Sequence, residues 1–477
     1  MRKLKPHDYQ SWCVNEAIAR LSNQQGVMAA LSMGLGKTII TLLVFQRLRR
    51  LKLVSRMLIL APKRVCELTW PDEIERWSEF KDLSYTNLVN QTPKKRRELL
   101  QQKADICLST VDSVVWLADE FDTAARLKKL PYDMLVCDES SMFKTFGSGR
   151  SKALRKLLPR FNKRMALSAT PRPNGVLDLF HQMLLLDDGH ALGKRVGHFK
   201  SKFGYMGGYK GYVWTPHKEA DDKVNELVKH LIIRLDAEDH LDVPPMITNT
   251  IWCEFDKLTR KRYKQIEEEM FLALGNGDEL IPANAGARYQ SCKQFTGGAV
   301  YTGEDERTAE RVHNIKLNLL LETLDACGPA IIAYQYQWEH DAILALLKGR
   351  KVASMNGQTK AAQAAKAMEQ WNAGKLDVLL AQPQGVSHGT NLQKGPGRDI
   401  LWFGLTDIPE IYEQFNGRVH RQGVGGEVRV HHLLVKGTVD VAIEQRLRDK
   451  STAQKSMLRF LRDLHAESLG LSKSETK

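Results

Sequence analysis

Val27-Met28-Ala29-Ala30-Leu31-Ser32-Met33-Gly34-Leu35-Gly36-Lys37-Thr38, followed by the apolar run Ile39-Ile40-Thr41-Leu42-Leu43-Val44-Phe45, is the stretch on which the reading of this chain turns. An apolar run that breaks into a glycine-bearing loop and resumes as a second apolar run reads as strand, phosphate loop and helix. Glycines let backbone N–H groups approach an anion, and the helix that follows aims its positive end at it. Lys37 reaches the β- and γ-phosphates of a nucleotide and the Thr38 hydroxyl suits Mg2+. Gly34, Gly36, Lys37 and Thr38 are therefore candidate nucleotide-binding residues. Leu31 stands where the full GxxxxGK[ST] pattern has its first glycine, so the reading needs a carboxylate partner elsewhere in the chain.

The partner comes a hundred residues on. Tyr132-Asp133-Met134-Leu135-Val136-Cys137 reads as a short buried strand that ends in Asp138-Glu139-Ser140-Ser141. A strand-end aspartate holds Mg2+, and the adjacent glutamate is placed to take a proton from an attacking water. Asp138 is thus a candidate metal ligand and Glu139 a candidate base. With Lys37 they supply what hydrolysis of a magnesium nucleotide requires.

The 477 residues allow two or three domains, and 43% hydrophobic content fits a globular protein. A formal charge of +14 and a pI near 9.3 favour a polyanionic partner, since Lys and Arg gain by releasing phosphate counterions. Membrane is the rival polyanion, but no apolar run approaches the roughly 18 residues of a spanning helix. Nucleic acid is the expected partner. The seven cysteines are scattered with no CxxC pair, which argues for a reducing cytoplasm and against a zinc or disulfide framework. His431-His432 reads as surface alternation within a strand rather than a ligand pair.

Short apolar runs alternate with helical stretches through the first half: Met57–Ala61, Ile106–Leu108, Met134–Cys137 and Met165–Leu167. The rhythm returns in Ala330–Tyr334, Val378–Ala381, Asp399–Phe403 and Val428–Val435, with a helix expected over Ala361–Asn372. This is the pattern of an α/β fold with two tandem parallel sheets, whose chemistry lies outside the carboxyl ends of the strands. Phe203–Trp214 reads as a hairpin packing its rings on the core, with base stacking the alternative. The stretch Asp256–Met270 reads as an exposed helix and 451–477 as a helix fraying into a polar tail. Lys94-Lys95-Arg96-Arg97 reads as a solvated helix face, with a share in a basic track the alternative.

Further motifs follow in order: Ala61-Pro62-Lys63, Ser109-Thr110, Ser168-Ala169-Thr170-Pro171, Gly389-Thr390-Asn391-Leu392-Gln393 and Gln414-Phe-Asn-Gly-Arg418-Val-His420-Arg421-Gln-Gly423. Arg418 and Arg421 lie three apart, on one face if the segment is helical, where paired guanidinium groups would stabilise a phosphoryl-transfer transition state. Over nearly its whole length the chain resembles the motor core of helicase superfamily 2, and its Swi/Snf-like branch in particular, including short phage-encoded members. Lys5-Pro6 with Tyr9-Gln10 is similar to that branch's adenine-reading motif, Asn391-Leu-Gln393 to its motif V and Gln414–Gly423 to its motif VI. Ile232–Leu235, Val243-Pro-Pro245 and Tyr263 are similar to its linker.

The resemblance implies two RecA-like domains with an ATP cleft between them: 1–232 for the first, 233–450 for the linker and second, 451–477 for a tail. It assigns Gln10 and Gln414 to nucleotide binding, Arg418 and Arg421 to catalysis, and Ser168 and Thr170 to coupling. It assigns Pro62, Lys63, Thr110, Thr390 and Asn391 to the nucleic-acid backbone. ATP and Mg2+ are the implied cofactors, double-stranded DNA the implied partner, and a host cytoplasm the implied location for a phage protein. Leu31-Ser32 replaces the family's usual acidic pair, Asp138-Glu-Ser-Ser141 its Asp-Glu-Ala-His, and Val424 a common Gln. The expected function is a DNA translocase or helicase, tracking rather than strand separation since no wedge hairpin stands out. The alternatives are a non-catalytic nucleic-acid-binding regulator with a degenerate ATPase fold, or the motor subunit of a nuclease assembly.

Overall fold

The computed structural model of the chain describes residues 1–172, 175–207, 213–241, 243–274, 283–302, 308–386, 390–448 and 461. Gly389, residues 208–212 of the aromatic stretch and nearly all of the tail lie outside them. The chain divides into two compact units, Met1–Met206 with Trp214–Asp242, and Gly207–Val213 with Val243–Lys477.

The first unit is built on β1 (Gly26–Leu31), β2 (Met57–Ala61), β3 (Tyr85–Asn87), β4 (Ile106–Thr110), β5 (Met134–Asp138) and β6 (Lys163–Ser168). After a two-stranded ribbon, β7 (Gly204–Gly207) and β8 (Val213–Pro216), comes β9 (Ile232–Leu235). The seven-stranded sheet runs β3-β4-β2-β5-β6-β1-β9, with every pairing parallel. Continuous apolar runs such as Met57–Ala61 form these strands because helices cover both faces of the sheet. Leu58, Ile59 and Leu60 are fully buried, each worth about 2 kcal/mol on leaving water. Ile232–Leu235, which the sequence places in the linker, is instead the edge strand of this sheet, so the first unit extends to Asp242.

The second unit carries β10 (Met246–Cys253), an antiparallel ribbon of β11 (Ala299–Tyr301) and β12 (Ala309–Arg311), then β13 (Ala330–Ala333), β14 (Val352–Met355), β15 (Val378–Ala381), β16 (Asp399–Trp402) and β17 (Val428–Val435). Its six-stranded sheet runs β10-β17-β16-β13-β15-β14, again parallel throughout. The expected exposed helix exists as Lys257–Leu274, yet it buries Tyr263 and Met270 completely. The Tyr263 hydroxyl accepts from the Val439 amide at 2.8 Å, so the helix is pinned to the core. Nor are His431 and His432 surface residues. They lie in β17, an interior strand between β10 and β16, and both are buried. In the aromatic stretch Phe203 is buried and the Trp214 indole donates to Lys200 O at 2.9 Å, whereas Tyr205 is exposed.

Candidate functional site

The glycine loop bridges β1 and the helix Lys37–Arg50, as its sequence requires. Gly34 and Gly36 take φ of 86° and 79°, a left-handed conformation that side chains resist. A Cβ on Gly36 would sit 2.4 Å from Gln10 Nε2. Gln10 is thus packed on the loop: its Nε2 donates to Leu35 O at 3.2 Å, and its Oε1 accepts from the His7 amide at 3.0 Å. Beside it the rings of His7, Tyr9 and His240 stack in series, with centroids 5.4 and 5.3 Å apart. Lys37 folds back so that Nζ donates to Leu31 O at 2.9 Å, and half-buried Thr38 stands in the first helical turn. No acidic pair precedes the loop, but the Ser32 hydroxyl meets Asp236 Oδ1, from just past β9, at 3.4 Å.

Asp138 is the last residue of β5, and β6 alone separates that strand from β1. At the usual spacing of parallel strands, roughly 10 Å divides the two strand ends, a gap that a nucleotide's phosphates and a cation span. Asp138 is buried, and its Oδ2 accepts from the Trp70 indole at 3.0 Å, which fixes the carboxylate without neutralising it. Glu139 adopts φ 59° and ψ 57°, a conformation that costs a non-glycine residue about 1 kcal/mol or more and that collects at functional sites. The chain beyond it is held by the Ser140 hydroxyl, which donates to Gln182 Oε1 at 2.7 Å. Gln182 Nε2 in turn donates to Pro171 O at 2.5 Å and Asp178 O at 2.8 Å. The same loop is tightened where the Thr170 amide donates to Ser168 Oγ at 3.1 Å. Gln182 therefore ties the Asp138–Glu139 turn to the Ser168–Thr170 turn. His181, next to it, is wholly buried between Phe143 O and Arg155 Nη1, and burial pushes its imidazole down to about 4. Neither Trp70 nor Gln182 carried a sequence signal.

Pro62, Lys63 and Thr110 line one hollow of about 310 Å3 at the ends of β2 and β4, together with Asn90, Arg96 and Ser113. The Thr110 and Ser113 hydroxyls share a hydrogen bond of 2.7 Å. The basic run divides here. Arg97 is held by Glu120 and Lys95 by Glu98, as a solvated face would be, whereas half-buried Arg96 lines the hollow with its guanidinium 5.2 Å from the Trp116 ring centre.

In the second unit, the helix Pro409–Asn416 carries buried Gln414. Arg418 and Arg421 do not continue it: Gly417 caps the helix and both arginines occupy the turns that follow, so the one-face argument does not apply. Both are half-buried. The helix is fastened by Tyr412 OH 2.9 Å from His432 Nε2 and by the Trp402 indole donating to Asn416 Oδ1 at 3.1 Å, and the turn after it by His420 Nε2 2.7 Å from Pro244 O. Thr390 is buried with its hydroxyl on Val386 O at 2.9 Å, while exposed Asn391 accepts a hydrogen bond from Arg421 Nη1 through its Oδ1. Two residues expected in separate roles are thus partners.

Where β16 begins, in the interior of that sheet, Cys327, Asp399 and His431 converge, their ligand-type atoms within 4.8 Å. Arg429 takes both Asp399 oxygens at 2.7 Å, so the carboxylate is engaged by a cation that a metal would have to displace. No described helix is long and apolar enough to cross a membrane.

The chain is similar to several known proteins. A putative protein p41 of Acyrthosiphon pisum secondary endosymbiont phage 1 is 29% identical over 97% of this chain and all of that one. The Bacillus subtilis putative ATP-dependent helicase/translocase YwqA is 23% identical over 93% of this chain, which spans only 48% of YwqA. The Sulfolobus solfataricus SWI2/SNF2 ATPase core in complex with double-stranded DNA aligns over 100% of this chain and 98% of its own, at 21% identity and a TM-score of 0.44. The SNF2-related domain family matches residues 9–293 and the helicase conserved C-terminal domain matches 315–423, so this chain belongs to the SNF2-related helicase family.

Proposed function

We propose that this chain hydrolyses ATP and uses the cycle to move along double-stranded DNA. One observation carries the reading: the Lys37–Thr38 loop and the Asp138–Glu139 turn stand at the carboxyl ends of one parallel sheet, with only the Ser168-bearing strand between them. Lys37 is assigned to the β- and γ-phosphates, the loop's N–H groups to the phosphate oxygens, and Gln10 to the base. Thr38 and Asp138 would hold Mg2+. A hydroxyl and a carboxylate form the hard oxygen set that ion takes, and when bound it neutralises phosphate charge. Glu139 orients the attacking water and accepts its proton. Arg418 and Arg421 are assigned to the charge that spreads over the transferring phosphoryl group.

The hollow around Pro62, Lys63 and Thr110 offers N–H, hydroxyl and cationic donors that fit a phosphate backbone and carry no base specificity. The Ser140–Gln182–Pro171 link is the route by which the state of the catalytic turn reaches Ser168 and Thr170. The formal charge of +14 supports a polyanionic track. The test is ATP turnover alone and with double-stranded DNA, single-stranded DNA or RNA. Stimulation of at least about tenfold by the duplex is expected, and turnover indifferent to every nucleic acid would sink the proposal.

A further inference from the structure

Asn391 stands between the two halves of the proposed cycle. It is exposed and on the loop assigned to nucleic acid, yet its Oδ1 accepts a hydrogen bond from Arg421, assigned above to the phosphoryl group. The backbone around both residues is pinned. Asn391 O accepts from Asn372 Nδ2 at 2.9 Å, the Leu392 amide donates to Arg418 O at 3.1 Å, and Leu392 O accepts from the Trp371 indole at 3.1 Å. Thr390 is anchored on Val386, and on the other side the Arg421 amide donates to Val419 O at 3.0 Å while Arg421 O accepts from the Val424 amide at 3.1 Å. With both main chains fixed, what can change is the partner each side chain takes.

We propose that Asn391 is a latch that parks Arg421 when no nucleic acid is bound. The inference rests on the functional reading above and adds the means by which the track controls hydrolysis. An amide has one carbonyl oxygen and one NH2 group. A backbone phosphate arriving at the exposed Asn391 draws its NH2 as a donor and turns the amide, which withdraws Oδ1 from the guanidinium. Arg421 then exchanges a neutral acceptor for the charged phosphoryl oxygens, a stronger charge-assisted bond. The phosphate thereby acts through a single amide rotation, and no proton or electron moves. Asn391 is on this account a positioning residue, since it acts through Arg421.

The experiment is steady-state ATP hydrolysis by the full chain, without DNA and at saturating duplex, for the unaltered protein, Asn391→Ala and Asn391→Asp. Releasing the latch with Asn391→Ala is expected to raise the DNA-free rate on the order of fivefold while the DNA-saturated rate stays within about twofold, so the stimulation ratio shrinks. Asn391→Asp keeps the shape but holds the guanidinium more tightly, so its DNA-free rate is expected to fall below that of the unaltered protein. A merely structural role would lower both rates together. An Asn391→Ala DNA-free rate that is unchanged or reduced overturns the latch, and Asn391→Asp decides the matter should the alanine variant not fold. A stimulated unaltered protein with an unresponsive variant removes the latch alone, whereas an unaltered protein without turnover in any condition removes the functional reading with it.

Discussion

The two sheets secure their candidate chemistry in different ways. In the first unit Asp138 ends β5, Ser168 ends β6, Thr110 ends β4 and Lys37 opens the helix after β1. The backbone itself places these residues, because a parallel strand with buried neighbours on both sides has only one register. In the second unit Asn391, Gln414, Arg418 and Arg421 sit on loops, one short helix and the turns after it. There the fixing is done by side chains: Tyr412 on His432, Asn416 on Trp402, His420 on Pro244 and Arg421 on Asn391. A backbone-built site is rigid before any ligand arrives, whereas a site built from side-chain hydrogen bonds can exchange partners at a cost of about 1 kcal/mol each.

The contrast is open to breakage at graded cost. The largest expected effect is in the first unit, where Lys37→Ala and Glu139→Gln should each lower ATP turnover on the order of a thousandfold, Glu139→Gln with nucleotide still retained on filter binding. Substantial turnover by Lys37→Ala would dissolve the rigid-site half of the comparison. Next comes Gln182→Ala, which leaves the buried Ser140 hydroxyl without its acceptor. We expect a roughly tenfold loss of DNA-stimulated rate with a smaller change in the DNA-free rate, and an equal loss in both would show the link to be support alone.

Protonation gives an intermediate effect. His181 is held neutral with its folded value near 4, below the ordinary 6.5. The unfolded chain therefore binds the extra proton first, so this stabilisation is complete above about pH 6.5 and is lost as pH falls toward 4. Between pH 7 and 5.5 it amounts to roughly 1 kcal/mol. Chemical denaturation at the two pH values measures it, and His181→Phe should flatten the slope. His313 in the second unit is likewise pushed down to about 4 by burial, so both units weaken in acid. The smallest effect is Tyr412→Phe, which removes one hydrogen bond to His432. About a threefold drop in turnover with unchanged nucleotide affinity would show the helix carrying the arginine turn to be aligned by that contact.

Much of the first unit was legible because its strands are uninterrupted apolar runs and its loop needs glycine where φ is positive, both of which are local properties. Ile232–Leu235 was misread because an edge strand is half exposed and short, and so looks like a connection. Met246–Cys253, though longer, escaped because it lies at the edge of its sheet with mostly exposed residues. His431 and His432 looked like alternation on a surface, but β17 is interior, and its polar residues are absorbed by Asp399, Glu444 and Tyr412. Trp70 and Gln182 meet their partners across 68 and 42 residues, a separation over which no local pattern carries information. Arg418 and Arg421 share a face only if their segment is helical, and spacing alone cannot show that Gly417 ends the helix before them.

The chain leaves the first unit through β9, whose residues Ile232–Leu235 lie in register with Met28–Leu31 of β1. Just beyond the paired stretch the Ser32 amide donates to Leu235 O at 3.0 Å. Tension on that exit would load a row of hydrogen bonds in shear, all at once, and deliver the strain to the end of β1, where the glycine loop begins. Pulled through this seam, the loop proposed to hold nucleotide should loosen, so that load on the chain would read out as weaker nucleotide binding.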